Sequence, residues 1–250
     1  MAGHCRRFPG YAAGGQGVIG ISEKQGCLIS VEGIDGAGKT TLVGIIAEKL
    51  KEEGVPARVV REPGGTLLSE KIRALLLHKE PGEGPELAYT AEALLYAAAR
   101  AQLVAEVIAP ALSRGEVVLC DRFTDSTLAY QGGGRGLNIE LLRAVNSLAT
   151  GGLTPCLTLL LDLAPAAGRM RLKSRGQENR APADRLETES ELFYTRVRQF
   201  YLELAAKEPQ RVVRLDAERP LEEVAEKAWA AVKKACQRAS GGKITCGLAE

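Results

Sequence analysis

Leu28-Ile29-Ser30-Val31-Glu32-Gly33-Ile34-Asp35-Gly36-Ala37-Gly38-Lys39-Thr40-Thr41 joins a short apolar run to a Gly-x-x-x-x-Gly-Lys-Thr loop. The run predicts a buried strand over 27–32. Leu42, Ile45, Ile46 and Leu50 then share one face of a following helix. A glycine-rich turn between the two can aim successive backbone N–H groups at an anion, which side chains bearing a Cβ would resist at several positions. Lys39 reaches the β- and γ-oxygens of a triphosphate, and the Thr40 hydroxyl is a ligand for Mg²⁺. The helix adds the positive end of its dipole. An ordinary Gly-rich turn accounts for the glycines but not for Lys39 and Thr40 together. The expected ATP site is therefore Gly33, Ile34, Asp35, Gly36, Ala37, Gly38, Lys39, Thr40 and Thr41.

The 250 residues carry 33 Lys and Arg against 31 Asp and Glu, a formal net charge of +2. So even a balance gives no reason to expect bulk binding to nucleic acid or to a membrane surface. The length suits one sizeable α/β domain. No apolar run approaches the roughly 20 residues of a membrane span. Arg6-Arg7 is followed by Gly-rich rather than apolar sequence, so no secretory signal is expected and the chain reads as cytoplasmic. The six cysteines show no C-x-x-C spacing. Cys27, Cys120 and Cys156, in or beside expected core strands, are expected to be buried reduced thiols rather than metal ligands or disulfide partners.

Residues 1–24 are Gly/Ala-rich and aperiodic, which predicts a disordered extension, and 239–250 reads as a flexible tail. Between them strands alternate with helices. Expected strands are 27–32, 57–61, 116–120, 156–162 and 211–215, whose near-continuous apolar character suits a parallel sheet covered on both faces. Expected helices are 40–53, 67–77, 87–113 with a bend at Pro110, 138–149, 165–174, 187–207 and 220–236. The pattern gives one three-layer α/β domain over 25–238.

Ligands of open parallel sheets gather at the carboxyl ends of the strands. Arg61-Glu62-Pro63-Gly64-Gly65-Thr66 ends the second strand, although alone it also fits a tight turn. Asp121-Arg122 ends the third; the pair fits a surface ion pair or, opposite the Gly-rich loop, a ligand for Mg²⁺-bound water and a phosphate clamp, and Tyr130, Gln131 and Arg135 follow. Tyr96 and Arg100 are i,i+4 neighbours on the long helix, so ring and guanidinium can meet one ligand, or form an exposed cation–aromatic pair. Finally, Arg169, Arg171, Lys173, Arg175, Arg180 and Arg185 crowd a stretch broken by Gly176, Asn179 and Pro182. That composition predicts a mobile Arg-rich lid over about 169–187 that closes on the triphosphate.

These blocks together resemble bacterial thymidylate kinase, a P-loop nucleoside monophosphate kinase, over about residues 27–236. The resemblance implies the P-loop NTPase fold with a five-stranded parallel sheet, a homodimer formed through the long helices, and phosphoryl transfer from ATP to dTMP. It also implies individual roles. Tyr96 would stack on thymine, Arg100 would donate to O4, and Thr127 and Gln131 would lie near the N3 edge. Tyr130 would crowd the sugar 2′ position. Arg73 and Arg122 would hold the dTMP phosphate, with Glu62 and Asp35 close to sugar, phosphate or metal. Thr40 and Asp121 would belong to the Mg²⁺ environment. Lys39, Arg122, Asp121 and the lid residues Arg169, Arg175 and Arg180 form the expected catalytic set. The P-loop lacks Arg while the lid is rich in it, as in the bacterial subtype. Phe123 departs from the Tyr or His that many relatives carry, so no hydroxyl or imidazole acts there. Two other readings fit a P-loop chain. A deoxynucleoside kinase needs a carboxylate base such as Glu62, and a nucleotide-binding switch has no evident use for the lid arginines.

Overall fold

The computed structural model describes residues 26–77, 87–179 and 185–239, so the expected extension at 1–24 and nearly all of the expected tail lie outside the described residues. Strands β1 (Cys27–Glu32), β2 (Ala57–Arg61), β3 (Val117–Asp121), β4 (Leu157–Asp162) and β5 (Val212–Asp216) make one all-parallel sheet in the order β2-β3-β1-β4-β5. Every expected strand is present within one residue of its expected bounds. The helices are α1 (Lys39–Glu52), α2 (Leu67–Leu77), α3 (Tyr89–Leu103), α4 (Ala109–Ser113), α5 (Thr124–Thr127), α6 (Ile139–Thr150), α7 (Pro165–Asn179), α8 (Glu191–Lys207) and α9 (Leu221–Ala239).

The sheet is buried where its sequence is uninterruptedly apolar. All six residues of β1 and of β4 are buried, whereas the edge strand β2 buries only Val60 and exposes Arg58 and Arg61. Alternate side chains supply two cores. Ile29 and Val31 face α1 and α9 with Leu119, Leu159 and Val232; Leu28 and Val118 face Leu103 and Ile108 on the other side. Val31 pairs with Asp121, so β1 and β3 end abreast. Because the chain passes from β1 to β2 across β3, a crevice opens beyond those two ends.

Four expectations are corrected. The long helix is not a single bent α-helix: five residues, Val104–Ile108, are π-helical between α3 and α4. Pro110 has no N–H to give and its ring crowds the carbonyl four residues back, so the turn widens. The Arg-rich stretch is helical through Asn179 rather than a loop from 169, because one Gly weakens a helix interior by about 1 kcal/mol without ending it. Cys27 and Cys156 form a disulfide with Cα atoms 6.4 Å apart, and Cys156 is exposed; Cys120 and Cys236 are buried and lie outside this pairing. The pairing follows from β1 lying against β4, a neighbourhood that the spacing of cysteines along the chain does not encode. The continuous helical run Tyr89–Ser113, 25 residues, is apolar enough by length and composition to cross a membrane. It nevertheless buries Glu92 and Arg100 and packs against α2 and α6.

A second π-helical segment, Leu128–Gly134, continues α5 where no regular structure was expected. It lies against α8 so closely that a Cβ on Gly134 would sit 2.4 Å from the Phe193 ring. Leu159 on β4 is fully buried in the larger core. Leu159→Ala is expected to lower unfolding free energy by about 2–5 kcal/mol, read from the midpoint of a urea transition at unchanged slope.

Candidate active site

β1 delivers the chain into the Gly-rich loop, and Gly36 at φ 80° lets it pass under α7, where a Cβ would meet the Gly168 carbonyl at 2.5 Å. Lys39 opens α1 and turns back over the loop: its Nζ donates to the Ile34 carbonyl at 2.8 Å and stands 4.0 Å from Asp35. Burial, then the nearby Arg122, pushes the Lys39 ammonium down to about 8. Thr40 Oγ1 donates to Asp121 Oδ2 at 2.6 Å, which brings the two expected metal-site residues together across the gap between β1 and β3.

Arg122 is the one non-glycine described residue at positive φ, 71°. That backbone turn aims its guanidinium at the P-loop, where it donates to the Gly33 carbonyl at 3.1 Å, to Tyr130 Oη at 3.1 Å and to the Asp35 carboxylate. Asp35 also accepts from the hydroxyls of Tyr130 at 3.1 Å and Tyr194 at 2.9 Å. Burial alone would raise the Asp35 carboxyl; Arg122 and Lys39, with the two hydroxyls, outweigh it and hold the group at about 2.

These groups line a cleft of about 360 Å³. Asp35, Gly36, Gly38, Lys39, Thr40 and Thr41 form one wall; Glu62, Arg73, Tyr96, Arg100, Asp121, Arg122, Thr127, Tyr130 and Gln131 complete it. Gly33, Ile34 and Ala37 are buried beneath: the first two offer carbonyls to Arg122 and Lys39, and Ile34 and Ala37 pack in the core. Among the described lid residues Arg171, Leu172, Leu186 and Glu187 reach the cleft, and Arg171 also donates to the Ala217 carbonyl at 2.8 Å. Arg169 is exposed and does not line it, Arg175 falls in the last turns of α7, and Arg180 lies outside the described residues.

Arg100 is only 1% exposed, and four of its N–H groups donate: Nε to Glu62, Nη1 to Thr127 and Asn146, and Nη2 to the Phe123 carbonyl. Nη2 also stands 2.7 Å from Glu62 Oε2 as an ion pair. The Phe123 ring packs under the guanidinium, 5.5 Å from its carbon. Burial raises the Glu62 carboxyl and Arg100 opposes it. Glu62 Oε1 is the one buried side-chain oxygen or nitrogen without a partner among the described residues. Arg73 donates to the Pro63 carbonyl at 2.9 Å.

Several contributors were not singled out from sequence. Glu32, fully buried at the end of β1, accepts from the Phe123 N–H at 2.7 Å, Ser126 at 2.6 Å and Tyr201 at 2.9 Å, and so holds the strained Arg122 turn in place. Burial, then Asp125, pushes its carboxyl up to about 7. A charged residue inside an otherwise apolar strand was the available signal. Glu92, Asn146 and Tyr194 carried none, since each sits singly on a helix face. Among the described residues no three His, Cys, Asp or Glu side chains cluster as a metal cage. The hard oxygens of Thr40 and Asp121 beside a phosphate cradle instead suit Mg²⁺, which keeps several waters and takes few protein ligands.

Comparison with known proteins agrees with this geometry. The thymidylate kinase family model matches residues 31–228. A thymidylate kinase of Synechococcus sp. (strain JA-2-3B'a(2-13)) is 50% identical over 215 residues, covering 86% of this chain and 98% of the relative. One from Deinococcus radiodurans is 51% identical over 210 residues, covering 84% and 98%. The crystal structure of thymidylate kinase from Ehrlichia chaffeensis superposes with a TM-score of 0.63 at 32% identity, covering 83% of this chain and 99% of that one. With a P-loop and an arginine clamp lining one cleft, and half of its aligned residues shared with such relatives along nearly their whole length, the chain belongs to the thymidylate kinase family.

Proposed function

We infer that the chain transfers the γ-phosphoryl group of ATP to dTMP, giving ADP and dTDP for dTTP synthesis. The observation that carries this reading is the gathering of Lys39 and Arg122 about the Asp35 carboxylate in a single cleft that Thr40 and Asp121 also line. The acceptor is a phosphate oxygen already ionised near neutral pH, so the site needs no strong general base. It needs cations in fixed positions, to align two mutually repelling anions and to spread charge in a loose transition state. Arg122 is fixed in advance by four acceptors on three different elements, so little reorganisation is needed as charge moves. Mg²⁺, held beside Thr40 and Asp121, supplies charge neutralisation of the phosphate oxygens. A lid arginine completes the cationic set, with Arg169, Arg175 and Arg180 as sequence candidates and Arg171 already at the cleft.

On the acceptor side, Arg73 and Arg122 take the dTMP phosphate and Tyr96 stacks on the base. Thr127 and Gln131 meet the N3 edge. Arg100 reaches O4 by sharing a donor with Thr127. The Tyr130 phenol, tied to both Arg122 and Asp35, has no room to move away from the sugar 2′ position. Glu62 Oε1 is an unpaired acceptor, which would repel a phosphate; a sugar hydroxyl or a metal-bound water suits it. Thymidylate kinase chemistry uses nucleotides of the cytoplasm, where the reading places this chain. A homodimer is part of the same reading: α2, α3 and α6 pack side by side and leave Leu67, Leu75, Leu94, Leu141 and Leu148 from 59% to 88% exposed.

A coupled assay of ADP release with each candidate acceptor tests the function. dTMP should stimulate release and thymidine should not; stimulation by thymidine alone, or by neither, would overturn the reading. Lys39→Ala should lower kcat by about 10²–10³-fold while changing dTMP affinity little. The pH dependence has a definite sign. Lys39 carries its proton below about 8 in the free enzyme and loses it as pH rises, so kcat/KM for ATP should fall through a limb near that pH. In kcat the limb should move upward, because bound phosphates favour the ammonium. A flat kcat/KM profile across that range would contradict the assignment.

A further inference from the structure

Behind the cleft, Glu92 on α3 is completely buried and is clasped by three partners. Gln131 Nε2 donates to its Oε1 at 2.7 Å. Arg135 spans both oxygens, at 3.4 and 3.3 Å, and Arg185 donates to Oε2 at 2.5 Å. Gln131 is itself buried, yet it lines the cleft, and among the described residues its Oε1 accepts no hydrogen bond. A side-chain amide can present either its NH₂ or its oxygen to a neighbour. A carboxylate can only accept, so Glu92 forces the NH₂ of Gln131 away from the cleft and leaves the oxygen facing it.

We propose that Glu92, which does not itself touch substrate, sets base selectivity by locking the Gln131 amide with its oxygen toward the base. This rests on the placement of thymine given above. An oxygen aimed at ring position 3 accepts from the N3–H of thymine or uracil and opposes the bare N3 of cytosine. Arg135 and Arg185 complete the arrangement. Arg185 and the Arg135 Nη2 hold Oε2, while Oε1, which the Arg135 Nε meets only at 3.4 Å, is the oxygen that takes Gln131 at 2.7 Å. Arg185, the last arginine of the Arg-rich stretch, also donates to the Leu76 carbonyl at 3.0 Å, so the end of the lid and the base pocket share one carboxylate.

Glu92→Gln makes the test. The two arginines should keep the remaining oxygen of residue 92, turning its new NH₂ toward Gln131, whose amide must then flip and point its own NH₂ into the cleft. Arg135 retains Glu189 at 2.6 Å, so it keeps a counter-charge in the variant. The ratio of kcat/KM for dTMP to that for dCMP should fall by about 10- to 100-fold, the equivalent of one mismatched buried polar contact. The ratio is taken on one sample, so it does not depend on the fraction folded. Adding Gln131→Glu to that variant restores an oxygen facing both neighbours and should recover the ratio, a rescue that a merely structural role for Glu92 would not give. A ratio unchanged within about threefold in E92Q, or no rescue in the double variant, overturns the proposal. Should E92Q fail to accumulate, Glu92→Asp keeps the charge facing both arginines but withdraws the carboxylate from Gln131. A reduced ratio in E92D then supports the proposal, and a wild-type ratio overturns it. A wild-type protein that releases no ADP in response to dTMP would instead sink the functional reading on which the proposal rests.

Discussion

One carboxylate, that of Asp35, allows two cations to stand in the same small cleft. Lys39 and Arg122 would otherwise repel each other; two unit charges 4 Å apart interact by about 4 kcal/mol at an effective dielectric near 20. Asp35 lies between them and is steadied by the hydroxyls of Tyr130 and Tyr194. Those four partners come from α1, the turn after β3, the π-helical segment and α8. The P-loop, the acceptor clamp and the helix that follows the lid are therefore joined through a single group. The cations are held for phosphates without being consumed by Asp35, because one negative charge cannot neutralise two positive ones.

The sheet supplies the rest of the constraint. Parallel strands whose ends lie abreast bring Glu32 and Asp121 to the same level, and the two carboxylates then divide the work. Glu32 faces inward and fixes the turn that aims Arg122. Asp121 faces the cleft and meets Thr40. Behind the base pocket a second buried layer of charge repeats the device: Glu62 orients Arg100, and Glu92 orients Gln131. Side chains lining the cleft are thus held by buried carboxylates, which is how a cleft built on turns keeps a fixed geometry.

Much of this was legible in the sequence because it is written locally. The five strands are apolar runs, and the P-loop, the Asp121-Arg122 pair and the Tyr96/Arg100 spacing are contiguous or one helical turn apart. Nearly every expected site residue outside the lid lines the cleft. What escaped depends on partners far along the chain. Glu92 meets Gln131, Arg135 and Arg185 at separations of 39, 43 and 93 residues, and nothing near Glu92 announces them. The disulfide escaped for the same reason, spanning 129 residues between strands that become neighbours only in the sheet. The helical extent of the Arg-rich stretch was missed differently: Gly176 was read as a break, and the surrounding helix tolerates it.

The central claim is that two nucleotides meet phosphate to phosphate between the Gly-rich loop and Arg122. Its most direct test is a crystal structure of the chain with a bisubstrate analogue in which thymidine and adenosine are joined through a chain of phosphates. The account predicts the adenosine-side phosphates on the P-loop amides and Lys39, the thymidine-side phosphate against Arg73 and Arg122, and the thymine beside Tyr96 and Gln131. Thymine found outside that pocket, or its phosphate bound away from Arg122, would contradict it.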